Sequence, residues 1–209
     1  MRPARFVKIC GITRVEDAVF AVEEGATAIG VNLVPGSKRF IDEDTARRVI
    51  DGVAGRTMIV AVVADRPVGE LALLRRRLGI DWLQLHGEES PDDVAALQPH
   101  AIKAAQIATA ADAHAAEAFS GEYLLVDSKP EGGLGGAGLA FDWSLVRALA
   151  RTRRMILAGG LNPDNVAGAI AAVNPFGVDV ASGVETSPGK KDPAKVRAFI
   201  EAVRRTGAP

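Results

Sequence analysis

Two side chains, each at the end of an apolar run, have the chemistry to move protons. Cys10 follows Phe6-Val7-Lys8-Ile9, and Asp127 follows Tyr123-Leu124-Leu125-Val126. A free thiol ionises at about pH 8.5 and is a base only as the thiolate; without such activation Cys10 is a small buried hydrophobe. A carboxyl leaving so apolar a strand can be kept protonated and act as an acid, or it can cap the loop that follows. Gly159-Gly160 and Ser182-Gly183 suggest a second chemistry. Glycine lets backbone N–H groups close on phosphate oxygens, and Ser182 can add its hydroxyl, although either pair alone also reads as a tight turn. His86 can touch a substrate or satisfy loop carbonyls, whereas His100 and His114 fall in a polar loop and an alanine-rich helix and read as surface residues. No His, Cys and Asp spacing forms a metal site, and no Ser-His-Asp arrangement can be argued.

Something must hold these residues at one place. Eight short β-rich apolar runs recur along the chain: Phe6 to Gly11, Ala28 to Leu33, Thr57 to Val63, Trp82 to His86, Ala101 to Ile107, Tyr123 to Asp127, Met155 to Ala158 and Val178 to Ser182. Several lack polar alternation, as parallel strands buried on both faces do. Helical segments intervene, with punctuation at their ends. Thr13-Arg14-Val15-Glu16 reads as a capping box, and Ser90-Pro91, Asn162-Pro163 and Asp192-Pro193 as N-caps before a proline. Gly25, Gly79 and Gly177 read as helix stops. Eight β-α units without a linker predict one (β/α)8 barrel domain over residues 1–209, with a doubly wound open sheet as the alternative. In a barrel every candidate residue above lies where a strand ends and its loop begins, the mouth that carries barrel active sites. Lys8 shares parity with Cys10 and should point inward with it. An interior lysine needs a partner, and Asp179, on the strand that closes against the first, is the expected one.

Composition removes other classes. Charged residues are 24% and hydrophobic ones 48% of the 209 residues, which excludes disorder by low hydropathy. With 25 Lys+Arg against 26 Asp+Glu there is no field to hold nucleic acid or an acidic membrane. One cysteine excludes an internal disulfide; with no secretory apolar region at the N-terminus, a reducing cytoplasm is expected. Monomer and homodimer both stay open, because the outer helix faces declare no interface.

From Lys8-Ile9-Cys10-Gly11-Ile12-Thr13 onward, an ordered set of motifs resembles the phosphoribosylanthranilate isomerase family over essentially the whole chain. These are Ser37-Lys38-Arg39-Phe40-Ile41, Leu83-Gln84-Leu85-His86-Gly87-Glu88, Leu124-Leu125-Val126-Asp127-Ser128, Gly135-Gly136-Ala137-Gly138 with Phe141-Asp142-Trp143, Leu157 to Pro163, Val178 to Glu185, and Pro188 to Asp192. The resemblance implies a (β/α)8 barrel that converts N-(5-phosphoribosyl)anthranilate to 1-(2-carboxyphenylamino)-1-deoxyribulose 5-phosphate in L-tryptophan biosynthesis, with no metal and no cofactor. It implies Cys10 as general base, Asp127 as general acid, and Arg39 gripping the anthranilate carboxylate through two parallel hydrogen bonds. Gly159, Gly160, Ser182 and Gly183 would hold the phosphate; His86 and Asp179 complete the expected substrate-binding set. Asn32, Ala137 and Ala181 depart from the family pattern, which bears on packing around the anthranilate ring and on the loop after the sixth strand. The glycines at 132, 133, 135, 136 and 138 read as a lid over the sugar. Another phosphosugar barrel would want metal-ligand histidines or a catalytic lysine, and a non-catalytic phosphate sensor would have no need of both Cys10 and Asp127.

Overall fold

A computed structural model describes residues 5–128 and 143–207. Strands and helices alternate: β1 (Phe6–Ile9), α1 (Val15–Glu24), β2 (Ala28–Asn32), α2 (Glu43–Asp51), β3 (Met58–Val63), α3 (Val68–Leu78), β4 (Trp82–Leu85), α4 (Pro91–Ala96), β5 (Ala101–Ile107), α5 (Ala110–Ala115), β6 (Tyr123–Ser128), α6 (Arg147–Thr152), β7 (Arg154–Ala158), α7 (Val166–Val173) and β8 (Gly177–Val180). A short hairpin, β9 (Glu185–Ser187) and β10 (Lys190–Lys191), precedes α8 (Pro193–Arg205). The eight long strands close into a barrel in sequence order, every neighbouring pair parallel, so the (β/α)8 expectation holds. The proposed lid glycines, Ala137, Phe141 and Asp142 lie outside the described residues.

Parity sorts the strand residues into two cores. Val7, Ile9, Ile29, Val31, Leu83, Leu85, Leu124 and Val126 face outward and pack under the helices. Their alternates face the axis, where Phe6, Ala28, Val60, Ile102, Tyr123 and Ile156 make an apolar floor. Trp82 meets Tyr123 edge-on at 4.9 Å, and Phe6 stacks on Tyr123 and Phe176 at 6.1 and 5.9 Å between ring centroids. Climbing each strand by two residues leads from that floor to a polar mouth: Phe6 and Lys8 on β1, then Cys10 just past it; Trp82 and Gln84 on β4, then His86 just past it; Tyr123, Leu125 and Asp127 on β6. The floor packs the barrel interior beneath the C-terminal ends of the strands, where the polar residues gather.

The helix punctuation is partly as expected. Gly25 and Gly79 end α1 and α3 with φ of 104° and 69°, a region that costs glycine little. Ser90 and Asp192 cap α4 and α8 through their side chains. Three expectations are corrected. Gly177 ends no helix: Asn174 stops α7 at φ 51°, and Gly177 lies inside β8, where a Cβ would sit 2.7 Å from the Cβ of Phe6. Thr13 makes no capping box, because its hydroxyl donates to the Gly189 carbonyl at 2.5 Å and Arg14 takes the N-cap place. Asn162 caps a turn ahead of α7, accepting from the N–H groups of Asp164 and Asn165, and the N-cap of the helix itself is Asn165.

Candidate active site

A cavity of about 460 Å³ opens at the C-terminal ends of the strands. Cys10, Arg39, His86, Asp127, Gly159, Gly160, Asp179 and Ser182 all line it, so residues up to 172 positions apart in sequence converge there. Its size suits a single small-molecule ligand. Gly183 is not among the lining residues. A Cβ there would collide with the Leu161 carbonyl, so this glycine lets the loop after β8 lie against the loop after β7. Gly159 and Gly160 have φ of 87° and 62°, the left-handed conformation that turns the backbone sharply at the cavity rim.

Cys10 sits just past the end of β1, its backbone N–H bonded to the Val180 carbonyl at 2.8 Å. Its side chain is buried, and it neighbours Gly30 of β2, where a Cβ would stand 2.8 Å from Sγ and 3.0 Å from the Lys8 Cε. Gly30→Ala should therefore overpack the barrel interior and lower stability by about 1–3 kcal/mol, read as a lowered melting temperature. An unchanged melting temperature would show that Cys10 and Lys8 can yield at no cost. Burial pushes the Cys10 thiol above its ordinary range; the Lys8 ammonium pulls it down without reversing the shift, and Asp179 adds to the rise.

Lys8 itself is fully buried and donates to Gln84 Oε1 at 2.8 Å and to Asp179 Oδ1 at 3.0 Å. The expected Lys8–Asp179 pair exists, and the register explains it: the two residues are direct partners across β1 and β8. Burial opposes the ammonium, yet Asp179 and Cys10 outweigh it and hold Lys8 above its ordinary range. Gln84 continues the chain to His86, its Nε2 lying 3.1 Å from Nδ1 of the ring. The other ring nitrogen of His86 stands 3.7 Å from Oδ2 of Asp127, both side chains being part-exposed.

Arg39 reaches the cavity across Gly11, whose positive φ and missing Cβ leave room for the arginine side chain. Its fork is already engaged. Nε and Nη2 donate to the two carboxylate oxygens of Glu185 at 2.8 and 2.6 Å. The parallel pair of hydrogen bonds in this structure is therefore the one to Glu185. Glu185 in turn accepts from Lys191 Nζ at 2.9 Å and from the Gly189 N–H at 3.2 Å. Burial works against the Glu185 carboxylate, but Arg39 and Lys191 hold it below its usual range. Sequence reasoning gave no role to Glu185, Lys191 or Gln84. Lys191 and Glu185 are brought together only by the β9–β10 hairpin, while Gln84 carried a signal that was legible in principle, an amide on an otherwise apolar strand with inward parity.

Among the described residues no group of three or more His, Cys, Asp or Glu is placed to hold a metal ion, and no helix is long and apolar enough to cross a membrane. Among known proteins, the family model for N-(5'phosphoribosyl)anthranilate (PRA) isomerase matches residues 7–202. An N-(5'-phosphoribosyl)anthranilate isomerase from Chromohalobacter salexigens is 46% identical over 206 residues, which is 97% of this chain and 96% of that one. Solved structures agree. The phosphoribosyl anthranilate isomerase of Thermotoga maritima superposes with a TM-score of 0.87 at 38% identity, covering 96% of this chain and 99% of its own. A phosphoribosyl anthranilate isomerase in complex with reduced 1-(o-carboxyphenylamino)-1-deoxyribulose 5-phosphate gives a TM-score of 0.84 at 36% identity, with coverage of 96% and 99%.

Proposed function

The chain belongs to the N-(5'-phosphoribosyl)anthranilate isomerase family and is an isomerase of tryptophan biosynthesis; from that premise we propose how its residues divide the reaction. The observation that carries the assignment is that Cys10 and Asp127, from the ends of strands separated in the barrel by β7 and β8, line one cavity together with the Arg39 guanidinium, Gly159, Gly160 and Ser182. Asp127 gives a proton to the departing ring oxygen of the ribose, and the ring opens to a protonated imine. That imine is an electron sink that acidifies the C2′ hydrogen. Cys10, as the thiolate, takes that proton, the C2′–H electron pair moves into a C1′–C2′ double bond, and the imine π pair returns to nitrogen. The resulting enolamine relaxes to the ketone by gaining a proton at C1′ and losing one from the C2′ hydroxyl. Protons balance, and substrate and product are isomers.

Arg39 meets the anthranilate carboxylate through Nη1 while Glu185 fixes its other edge. Gly159, Gly160, Ser182 and Gly183 form the phosphate cup, with Gly183 acting by packing its loop. His86 adjoins Asp127, and Asp179 offers Oδ2 to a sugar hydroxyl while Oδ1 stays with Lys8. The unit is one domain, works in the cytoplasm, and takes a small phosphosugar as its partner, with neither nucleic acid nor membrane; the balanced charge, which leaves no field to hold a polyanion, supports the small-molecule reading.

Turnover followed by anthranilate fluorescence, with wild type beside Cys10→Ala and Asp127→Asn, tests the assignment; full activity in either variant removes that residue from the mechanism. Arg39→Ala should raise KM about tenfold or more with a smaller effect on kcat, because a charge-assisted hydrogen bond contributes roughly 1.5–3 kcal/mol. An unchanged KM would place the carboxylate elsewhere.

A further inference from the structure

An ammonium has three hydrogens and no acceptor. Lys8 gives two of them to Gln84 Oε1 at 2.8 Å and Asp179 Oδ1 at 3.0 Å, and its side chain shares with the Cys10 sulfur the space beside Gly30, where a Cβ would stand 3.0 Å from the Lys8 Cε and 2.8 Å from Sγ. Nothing in the proposed chemistry uses this lysine, although it is wholly buried. We infer that Lys8 is a positioning residue serving both members of the acid–base pair: it holds a positive charge against the Cys10 sulfur and, through Gln84, decides which nitrogen of His86 presents a hydrogen to Asp127. The inference rests on the assignment of Cys10 and Asp127 proposed above.

The second half follows from donor and acceptor logic alone. Because Lys8 can only donate, the amide of Gln84 must turn its oxygen to Lys8; the reverse orientation would set NH₂ against NH₃⁺. The NH₂ of Gln84 therefore faces Nδ1 of His86 at 3.1 Å, and Nδ1 must be the acceptor. A neutral imidazole with Nδ1 as acceptor carries its hydrogen on Nε2, and Nε2 is the atom 3.7 Å from Asp127. Once Asp127 has given up its proton, its carboxylate finds an N–H directed at it. The first half is electrostatic. The charged groups around Cys10 are Lys8 on its own strand, Asp179 on β8, Lys191 on β10 and Arg39 from the loop after β2. Of these, Lys8 exerts the strongest pull toward the thiolate.

Two measurements independent of turnover test this. The chain has one cysteine, so the pH dependence of alkylation by iodoacetamide reports Cys10 alone. Removing Lys8 by itself would leave Asp179 buried without its partner, so Lys8→Met/Asp179→Asn is compared with Asp179→Asn, the pair differing only at Lys8. The alkylation midpoint should be higher in the double variant by at least about one pH unit, the usual effect of a nearby opposite charge, with about tenfold slower reaction below it. Equal midpoints would overturn the electrostatic half. Should the double variant not fold, nitrogen-15 spectra of the wild type still decide the other half. His86 should carry its hydrogen on Nε2, and Gln84→Met should let the Nδ1–H form appear. Hydrogen on Nδ1 in the wild type, or an unchanged tautomer in Gln84→Met, would overturn it. If Cys10→Ala kept full activity while the alkylation shift persisted, the catalytic assignment alone would be at fault.

Discussion

Cys10→Ala should lower kcat by about 10² to 10⁴, the usual worth of a positioned proton-transfer group, while KM changes far less. The separation follows from where the sulfur sits. It lines the cavity beside Gly30, whereas the proposed carboxylate and phosphate sites lie at Arg39 and at the turns after β7 and β8. Cys10→Ser is the sharper control, since a hydroxyl fits the same space and can accept from Lys8 but does not ionise near neutral pH. It should be nearly as impaired as the alanine variant. A serine variant with wild-type kcat would show that packing, not ionisation, is what the sulfur provides. In the wild type the thiol must lose a proton to act, and burial opposes that loss. Alkylation of Cys10 should therefore rise with pH to a midpoint above the ordinary thiol value of about 8.5. A midpoint below it would mean that Lys8 outweighs burial.

How far the site could be read from sequence depended on what kind of information set each feature. Strand parity is local and periodic, so the inward placing of Lys8 and Cys10, and the Lys8–Asp179 pair across the closure of the barrel, follow from counting residues. Strand positions were legible for the same reason, with β5 running from Ala101 to Ile107 as its apolar run does. Loop geometry is set by tertiary contacts that leave no period. Thr13 has the composition of a helix cap, but the Gly189 carbonyl offers it a long-range acceptor, and that contact wins. Gly177 has the composition of a helix stop, but the constraint on it is the side chain of Phe6 in the neighbouring strand. Arg39 was expected at the site from its motif, and it lines the cavity. Its rigid hold by Glu185, 146 positions away, was not, because nothing in either segment names the other.

Asp127→Asn should also cost about 10² to 10⁴ in kcat, since asparagine keeps the shape and can still pair with His86 but has no proton of carboxylic acidity to give. Loss of rate alone would not separate the acid from the base, because either variant stalls the same pathway. The order of steps does separate them. Ring opening precedes removal of the C2′ hydrogen, so in Asp127→Asn the slow step comes before that bond breaks. Substrate deuterated at C2′ should then react at nearly the rate of the protonated compound. In Cys10→Ala the slow step is the breaking of the C2′ bond itself, and the same deuteration should give a full primary isotope effect. Were the two variants to show the opposite pattern, Cys10 would be opening the ring and Asp127 taking the carbon proton, and the roles would have to be exchanged. Equal, full isotope effects in both would place Asp127 at the second step with Cys10, leaving ring opening to another donor. His86 would be the first residue to test, since its Nε2 lies 3.7 Å from the same carboxylate at the cavity wall.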